Sequence, residues 1–235
     1  MAMVLCSQGL LLITMAKYKL GNWSLDDLIK NPTRITIDRH LAKLENHAKR
    51  FEIIKKSLSP SISSTKFLKL LHEIECITEK SSILGGYASL RYSENTQSDE
   101  ATSLLTRISK FGSDIENRLL FFDLWWKKHI DEKNAKRIIK SAGQFSEYLK
   151  FKRLLAKYSL TEPEEKIINT LDVTGASALV KLYDKITNAY VYAVTVDGKK
   201  RSMNREQLTT LVRSRKADTR MAAYKSLFSK YNENK

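Results

Sequence analysis

Residues 161–224 constrain the fold more tightly than any other stretch, because signals of local structure follow one another closely there. Thr161 and Glu164 match a capping box, in which each side chain satisfies a free backbone N–H at a helix start. Gly175 ends this helix, and a second helical pattern begins directly after it. The Asp-Gly pair at residues 197–198 is a strong hairpin signal, because a type I′ turn needs positive φ at both positions. The stretch predicts the order helix, helix, hairpin, helix.

The second helix and the hairpin have different periodicities. The helix carries an apolar face with three- and four-residue steps, formed by Ala178, Leu179, Leu182, Tyr183 and Ile186. Residues 190–196 are rich in β-branched and aromatic side chains, which favour a strand. Residues 199–203 are the expected return strand, so a β-hairpin is predicted near residues 190–203.

Long helices are predicted before this stretch. Apolar residues recur at helical spacing over residues 36–58, 66–92 and 99–122, and shorter helices are expected at 131–139 and 145–158. The chain has only 3 Pro and 8 Gly in 235 residues, which favours long uninterrupted helices. The predicted fold class is therefore mainly α, an antiparallel array of long helices with one small β-hairpin.

Two sequence segments resemble a known enzyme family. Residues 161–188 read TEPEEKIINTLDVTGASALVKLYDKITN, and the VDGKK hairpin and MNREQL follow them. Residues 119–139, LLFFDLWWKKHIDEKNAKRII, resemble an FF-x-L-x-W helix and the charged segment after it. Together they are similar to the N-terminal region of the oligoendopeptidase F family of zinc metallopeptidases, in the thimet-oligopeptidase-like clan. The resemblance runs from about residue 20 to residue 235.

This resemblance implies a function in proteolysis. Full-length members hydrolyse short peptides inside the cell with one zinc, held by an HExxH motif and a later Glu, within a helical body that encloses a narrow channel. The resemblance implies that residues 20–235 supply helices that form walls of this channel. It also implies that short peptides bind to the catalytic domain, which we expect downstream of this sequence. Zinc is expected in the full-length family.

The chain itself contains no HExxH motif. A zincin needs two His four residues apart on one helix, with the Glu between them activating the bound water. We therefore expect no catalytic, cofactor-binding or metal-ligating residue in this chain, no cofactor of its own, and no hydrolysis by the chain alone.

Two His-containing patterns come nearest to a metal site. Residues 72–76 read HEIEC, and Cys76 stands where a zincin has its second His. Cysteine binds zinc, but no pattern supplies a third ligand, so a small core residue is the favoured interpretation of Cys76. His40 and His47 lie two turns apart, a poor spacing for one zinc, and are expected to border the core.

The predicted domain organisation has three parts. Residues 1–14 are expected to be an upstream extension, with Met15 as a more natural start. Residues 15–122 are expected to form a long-helix region. Residues 123–235 are expected to form a helical region with the hairpin, which leads into the catalytic domain. The apolar run at 10–13 is too short for a signal peptide or a membrane span. Cys6 and Cys76 form no disulfide framework, so we expect a cytoplasmic protein that does not bind a membrane.

The net charge of +15 raises an alternative function, a basic helical module that binds nucleic acid or another protein. The charge is spread out, with a net of +6 over residues 123–160 and +5 over residues 197–220. No nucleic-acid motif accompanies it, so nucleic acid is the less favoured partner.

Two clusters of apolar residues bear on these alternative functions. The first cluster is aromatic and lies beside two lysines: Phe121, Phe122, Trp125 and Trp126. It suits either base stacking in nucleic-acid binding or an anchor in the hydrophobic core, and the core is favoured. A protein derived from a peptidase would instead expose the face that the catalytic domain covers, and self-associate through it. We expect that face within residues 218–231, at Ala222, Tyr224, Leu227, Phe228 and Tyr231.

Overall fold

The computed structural model describes residues 23–233, so the extension predicted at residues 1–14 lies outside the described residues. The described part contains nine α-helices and one antiparallel pair of strands, which confirms the predicted fold class. The elements are α1 (Arg34–Glu52), α2 (Ser64–Glu94), α3 (Asp99–Leu124), α4 (Glu132–Ser141), α5 (Ser146–Leu154), α6 (Glu162–Thr174), α7 (Ala176–Asn188), β1 (Tyr192–Val196), β2 (Lys199–Met203), α8 (Arg205–Val212) and α9 (Ala217–Glu233).

Side-chain caps fix the starts of the long helices. The Thr33 hydroxyl accepts a hydrogen bond from the backbone N–H of Thr36 at 3.2 Å and begins α1. Ser63 and Ser98 cap α2 and α3 in the same way. Each cap satisfies one of the backbone donors that a helix start leaves without an intrahelical partner. These short polar side chains therefore set where each long helix begins.

A first hydrophobic cluster joins α1 to α5. Its centre is aromatic: the ring centroid of Phe67 lies 5.6 Å from that of Phe122 and 4.9 Å from that of Trp126. Trp126 also donates its indole N–H to the Leu149 carbonyl at 3.0 Å, which ties α5 to the turn after α3. Since both tryptophans of this turn are buried, the core interpretation of the aromatic cluster is confirmed.

A second hydrophobic cluster lies under the hairpin. Tyr192, Val194 and Val196 alternate along β1 and pack on α8 and α9, where Leu208 and Ala223 are fully buried. The hairpin turn is the predicted one, with φ of 50° at its Asp and 75° at its Gly. The strand register pairs the first residue of β1 with the last of β2. Within residues 23–233, no helix has the length and apolar character needed to cross a membrane.

The predicted boundary at residue 122 does not coincide with a gap between these clusters, since the first cluster continues to Leu149. The helices α6 and α7 lie between the two clusters in sequence and contribute no apolar side chain to either one. The division into three parts stays a prediction.

Candidate functional surface

One contact joins the two His-containing patterns, between His47 of one and Glu73 of the other. His72 Nδ1 lies 3.1 Å from a Glu75 carboxylate oxygen on the exposed side of α2, and Cys76 is a half-buried free thiol. His47 Nδ1 lies 2.7 Å from Glu73 Oε1 and links α1 to α2 at the edge of the core. Within residues 23–233, no three His, Cys, Asp or Glu side chains come together as a metal site would require.

The most unusual surface of the described chain belongs to α6, because its polar side faces the protein body. Asn169 donates from its side-chain amide to Asn117 Oδ1 at 3.0 Å, and its backbone carbonyl accepts from the Ser113 hydroxyl at 3.0 Å. Asn117 Nδ2 in turn donates to the Thr170 hydroxyl at 3.2 Å. The helix is therefore attached along α3 through hydrogen bonds between small polar side chains and backbone groups.

The large exposed apolar side chains of α6 face away from α3, whereas Val173 is half-buried on the Asn169 side. Ile167, Ile168 and Leu171 are between 50% and 60% exposed. At 100° per residue they centre on the side of the helix opposite Asn169. Because a surface helix normally buries its apolar stripe, α6 is inverted relative to the usual arrangement.

The next helix, α7, is attached to the body in the same manner. The Tyr92 hydroxyl donates to the Lys181 carbonyl at 3.1 Å, and the Gln97 side-chain amide donates to the Lys185 carbonyl at 2.9 Å. Lys185 Nζ also lies 3.2 Å from an Asp99 carboxylate oxygen. These contacts use backbone carbonyls and charge, and they leave the predicted apolar face of α7 uncovered.

The four large residues of that apolar face of α7 are 47% to 67% exposed, whereas Ala178 is half-buried. The single residue Gly175 joins α6 to α7, so this face directly follows the exposed side of α6 along the chain. We name the combined surface the α6–α7 apolar face; its members are Ile167, Ile168 and Leu171 from α6, and Leu179, Leu182, Tyr183 and Ile186 from α7. The sequence correctly places the α7 residues on one side of a helix, but the pattern does not say which way that side points.

The end of α9 lies beside the end of α7. A side-chain hydrogen bond with Tyr183, together with burial, raises the pKa of Tyr231 to about 12. The Tyr231 ring also packs edge-on against Tyr190, with ring centroids 5.9 Å apart. The last described turn of the chain is therefore held beside α7.

The face predicted on α9 is exposed only in part. The rings of Tyr224 and Phe228 are about half exposed and lie 4.5 Å apart between centroids. Ala222 and Leu227 pack against the second cluster instead. The larger exposed apolar surface is thus the one on α6 and α7, and self-association through α9 stays a prediction.

A groove of about 710 Å³ lies between α7, the C-terminal end of α2 and the start of α8. Its lining mixes apolar and aromatic side chains with both signs of charge, including Tyr92, Val180, Lys181, Asp184 and Arg205. Such a lining offers hydrogen-bond donors and acceptors beside apolar surface.

The structure as a whole resembles part of a solved peptidase structure. The oligoendopeptidase-F from Enterococcus faecium superposes on 86% of this chain with a TM-score of 0.66 and 17% sequence identity. A protein from Chlamydophila abortus, described as a peptidase, covers 90% of the chain at 15% identity with a TM-score of 0.48, too low to carry an argument. No protein-family model and no curated protein matches the chain.

The chain has the fold of one part of a peptidase. At 17% identity the Enterococcus structure establishes the fold alone, and the chain spans 40% of that enzyme's length. The likeness covers most of the described residues, and it agrees in fold with the family resemblance of the sequence.

Proposed function

We propose that this chain is the non-catalytic helical portion of an oligoendopeptidase F-like zinc metallopeptidase that cleaves short peptides. The observation that carries the proposal is the superposition of 86% of the chain on an oligoendopeptidase-F. The motif-bearing segments at residues 119–139 and 161–188 support it independently, because they resemble the same family in sequence.

In this proposal the zinc and the water-activating Glu belong to the portion of the enzyme outside this chain. The chain supplies helical walls and the mixed groove between α2, α7 and α8. The aromatic core of α1 to α5 fixes α2, one wall of that groove, since it is the largest buried cluster of the described residues. Channel walls of this kind would admit short peptides and exclude folded proteins.

The test begins with the coding sequence that follows the Lys235 codon and with the adjoining genes. We expect a segment with an HExxH motif and a later Glu. The 235-residue chain and the chain combined with that segment are then assayed against a quenched fluorescent short peptide, with and without a zinc chelator.

We expect zinc-dependent hydrolysis from the combined protein and none from the 235-residue chain. Replacing the Glu of the HExxH motif with Gln is the matched control, and it should abolish hydrolysis while leaving the assembly intact. Absence of any HExxH segment, or hydrolysis by the 235-residue chain alone, would overturn the proposal.

A further inference from the structure

We propose that the α6–α7 apolar face is the surface on which the zinc-bearing portion of the peptidase docks, an inference that rests on the proposed function. The orientation of both helices carries it. Each helix turns its polar side to the protein body and its apolar side outward, where hydration of that side is unfavourable.

Contacts with α3 fix the orientation of α6, so the exposure of its apolar residues is not accidental. Three hydrogen bonds with α3, from 3.0 to 3.2 Å, hold its Asn169 side inward. Rotating the helix to bury Ile168 and Leu171 would break all three, leaving polar groups of α3 without their partners. The arrangement is therefore specified by the sequence, and the outward apolar side is part of it.

The size of the face suits a stable interface. Seven large apolar side chains, each about half exposed, present roughly 700 Å², close to the roughly 800 Å² that each partner buries in a standard interface. Contiguous apolar patches on monomers reach about 300–600 Å². The summed exposed area of the seven side chains is thus larger than the patches that monomers usually carry.

The part of the shared fold that this chain spans indicates which partner covers the α6–α7 apolar face. The chain spans 40% of the length of the Enterococcus enzyme, so most of that architecture lies outside it. The last described turn of α9 lies beside the end of α7, where the Tyr231 ring packs edge-on against Tyr190 with ring centroids 5.9 Å apart. Any polypeptide that continues from α9 would start beside the surface that it has to cover.

Charge disfavours a second copy of this chain as the occupant. The two helices carry five carboxylates and three lysines, so two identical faces would bring mostly like charges together at their rims. Each whole chain also has a net charge of +15, which repels another copy at long range. The fitting partner has an apolar centre and a rim that carries lysine or arginine.

Cysteine labelling tests the docking directly. The variants Leu171→Cys and Leu179→Cys place one thiol on each helix of the face, and Ile35→Cys is the matched control, 71% exposed at the start of α1. Each variant is made in the 235-residue chain and in the chain combined with the HExxH-bearing segment. Reaction with a maleimide is followed at each site by peptide mass spectrometry.

We expect both face positions to react at least about tenfold more slowly in the combined protein than in the 235-residue chain, with the control unchanged. Zinc-dependent hydrolysis without this protection would overturn the inference and leave the proposed function standing. If no HExxH segment exists, both fail together. Protection already present in the 235-residue chain, with a dimer in sedimentation, would assign the face to a second copy and also overturn the inference.

Discussion

At the scale of single residues, Arg118 is the strongest polar link between α1 and α3. Its guanidinium binds Glu45 and Glu52 of α1, each at 2.7 Å, and its side chain is largely buried. The hydrogen bond from Arg118 is the main cause that holds the pKa of Glu45 below its ordinary value; burial opposes it, and the positive charge of Arg118 adds a smaller lowering. A carboxyl with a lowered folded-state pKa stabilises the fold above its unfolded pKa, and this contribution is lost as the pH falls through the folded value.

We expect Arg118→Met to lower the free energy of unfolding by about 1–3 kcal/mol at neutral pH, because it leaves two carboxylates of α1 without their partner. The loss should shrink at about pH 3, because a smaller fraction of Glu45 carries the charge that Arg118 binds there than at neutral pH. Urea unfolding at both pH values measures it. Arg91→Met is the control, since the Arg91–Glu94 pair is exposed and should cost under about 1 kcal/mol. An equal loss at both pH values would contradict the prediction.

Gly175 permits the tight junction between α6 and α7. A Cβ atom at this position would lie 2.7 Å from the Leu171 carbonyl oxygen, a backbone atom that has little freedom to move. We expect Gly175→Ala to lower the local free energy of opening of α6 and α7 by about 1–3 kcal/mol, measured by hydrogen exchange of their amides. Gly85→Ala is the control within α2, where a Cβ meets no atom within 4 Å, and it should be neutral or stabilising.

At the scale of elements, α6 and α7 are the α-helices of the described chain that bury no apolar side chain. Their only buried side chain is that of Thr187, whereas α1, α2 and α3 each bury several apolar residues. We expect amides of α6 and α7 in the 235-residue chain to exchange about 100-fold faster than those of α3, because few apolar contacts are lost when they open. Protection equal to that of α3, measured by mass spectrometry, would contradict this.

Elements set by local chemistry were predictable from the sequence. The Thr161–Glu164 capping box and the hairpin turn at residues 197–198 are both present, since each depends on a few adjacent residues. The predicted helix over residues 36–58 is α1 followed by a tighter turn at Ile53–Ser57. The outward direction of the α6 and α7 apolar sides was not predictable, because it depends on hydrogen bonds to α2, α3 and the loop that joins them.

At the scale of the whole molecule, the net charge of +15 keeps nucleic-acid binding as an alternative prediction. Many basic side chains are engaged in ion pairs, among them Lys152 with Asp123 and Lys216 with Asp197. We expect any binding to be non-specific, with a dissociation constant of about 10⁻⁴–10⁻⁶ M at physiological salt and a steep loss as salt increases. Fluorescence anisotropy with labelled DNA measures it. Tighter binding with a sequence preference would favour the alternative function.

The two hydrophobic clusters give the molecule two regions of unequal stability. The first has 25 buried apolar residues and the second has five, so the free energy available from burial differs greatly between them. Different spectroscopic signals report on the unfolding of the two clusters. Of the three tryptophans, Trp125 and Trp126 are buried in the first cluster, and Trp23 is 95% exposed. Tryptophan fluorescence therefore follows the first cluster, while far-ultraviolet circular dichroism follows both.

We expect urea to unfold the second cluster first, so that the circular dichroism of the 235-residue chain changes before its tryptophan fluorescence. Leu208→Ala should move only the early change, because Leu208 is fully buried under the hairpin and its truncation costs about 2–5 kcal/mol within that cluster. Leu44→Ala, at an equally buried position of the first cluster, should instead move the fluorescence transition. Coincident transitions that both variants shift equally would mean that α6 and α7 couple the clusters into one cooperative unit, despite their polar attachment to the body.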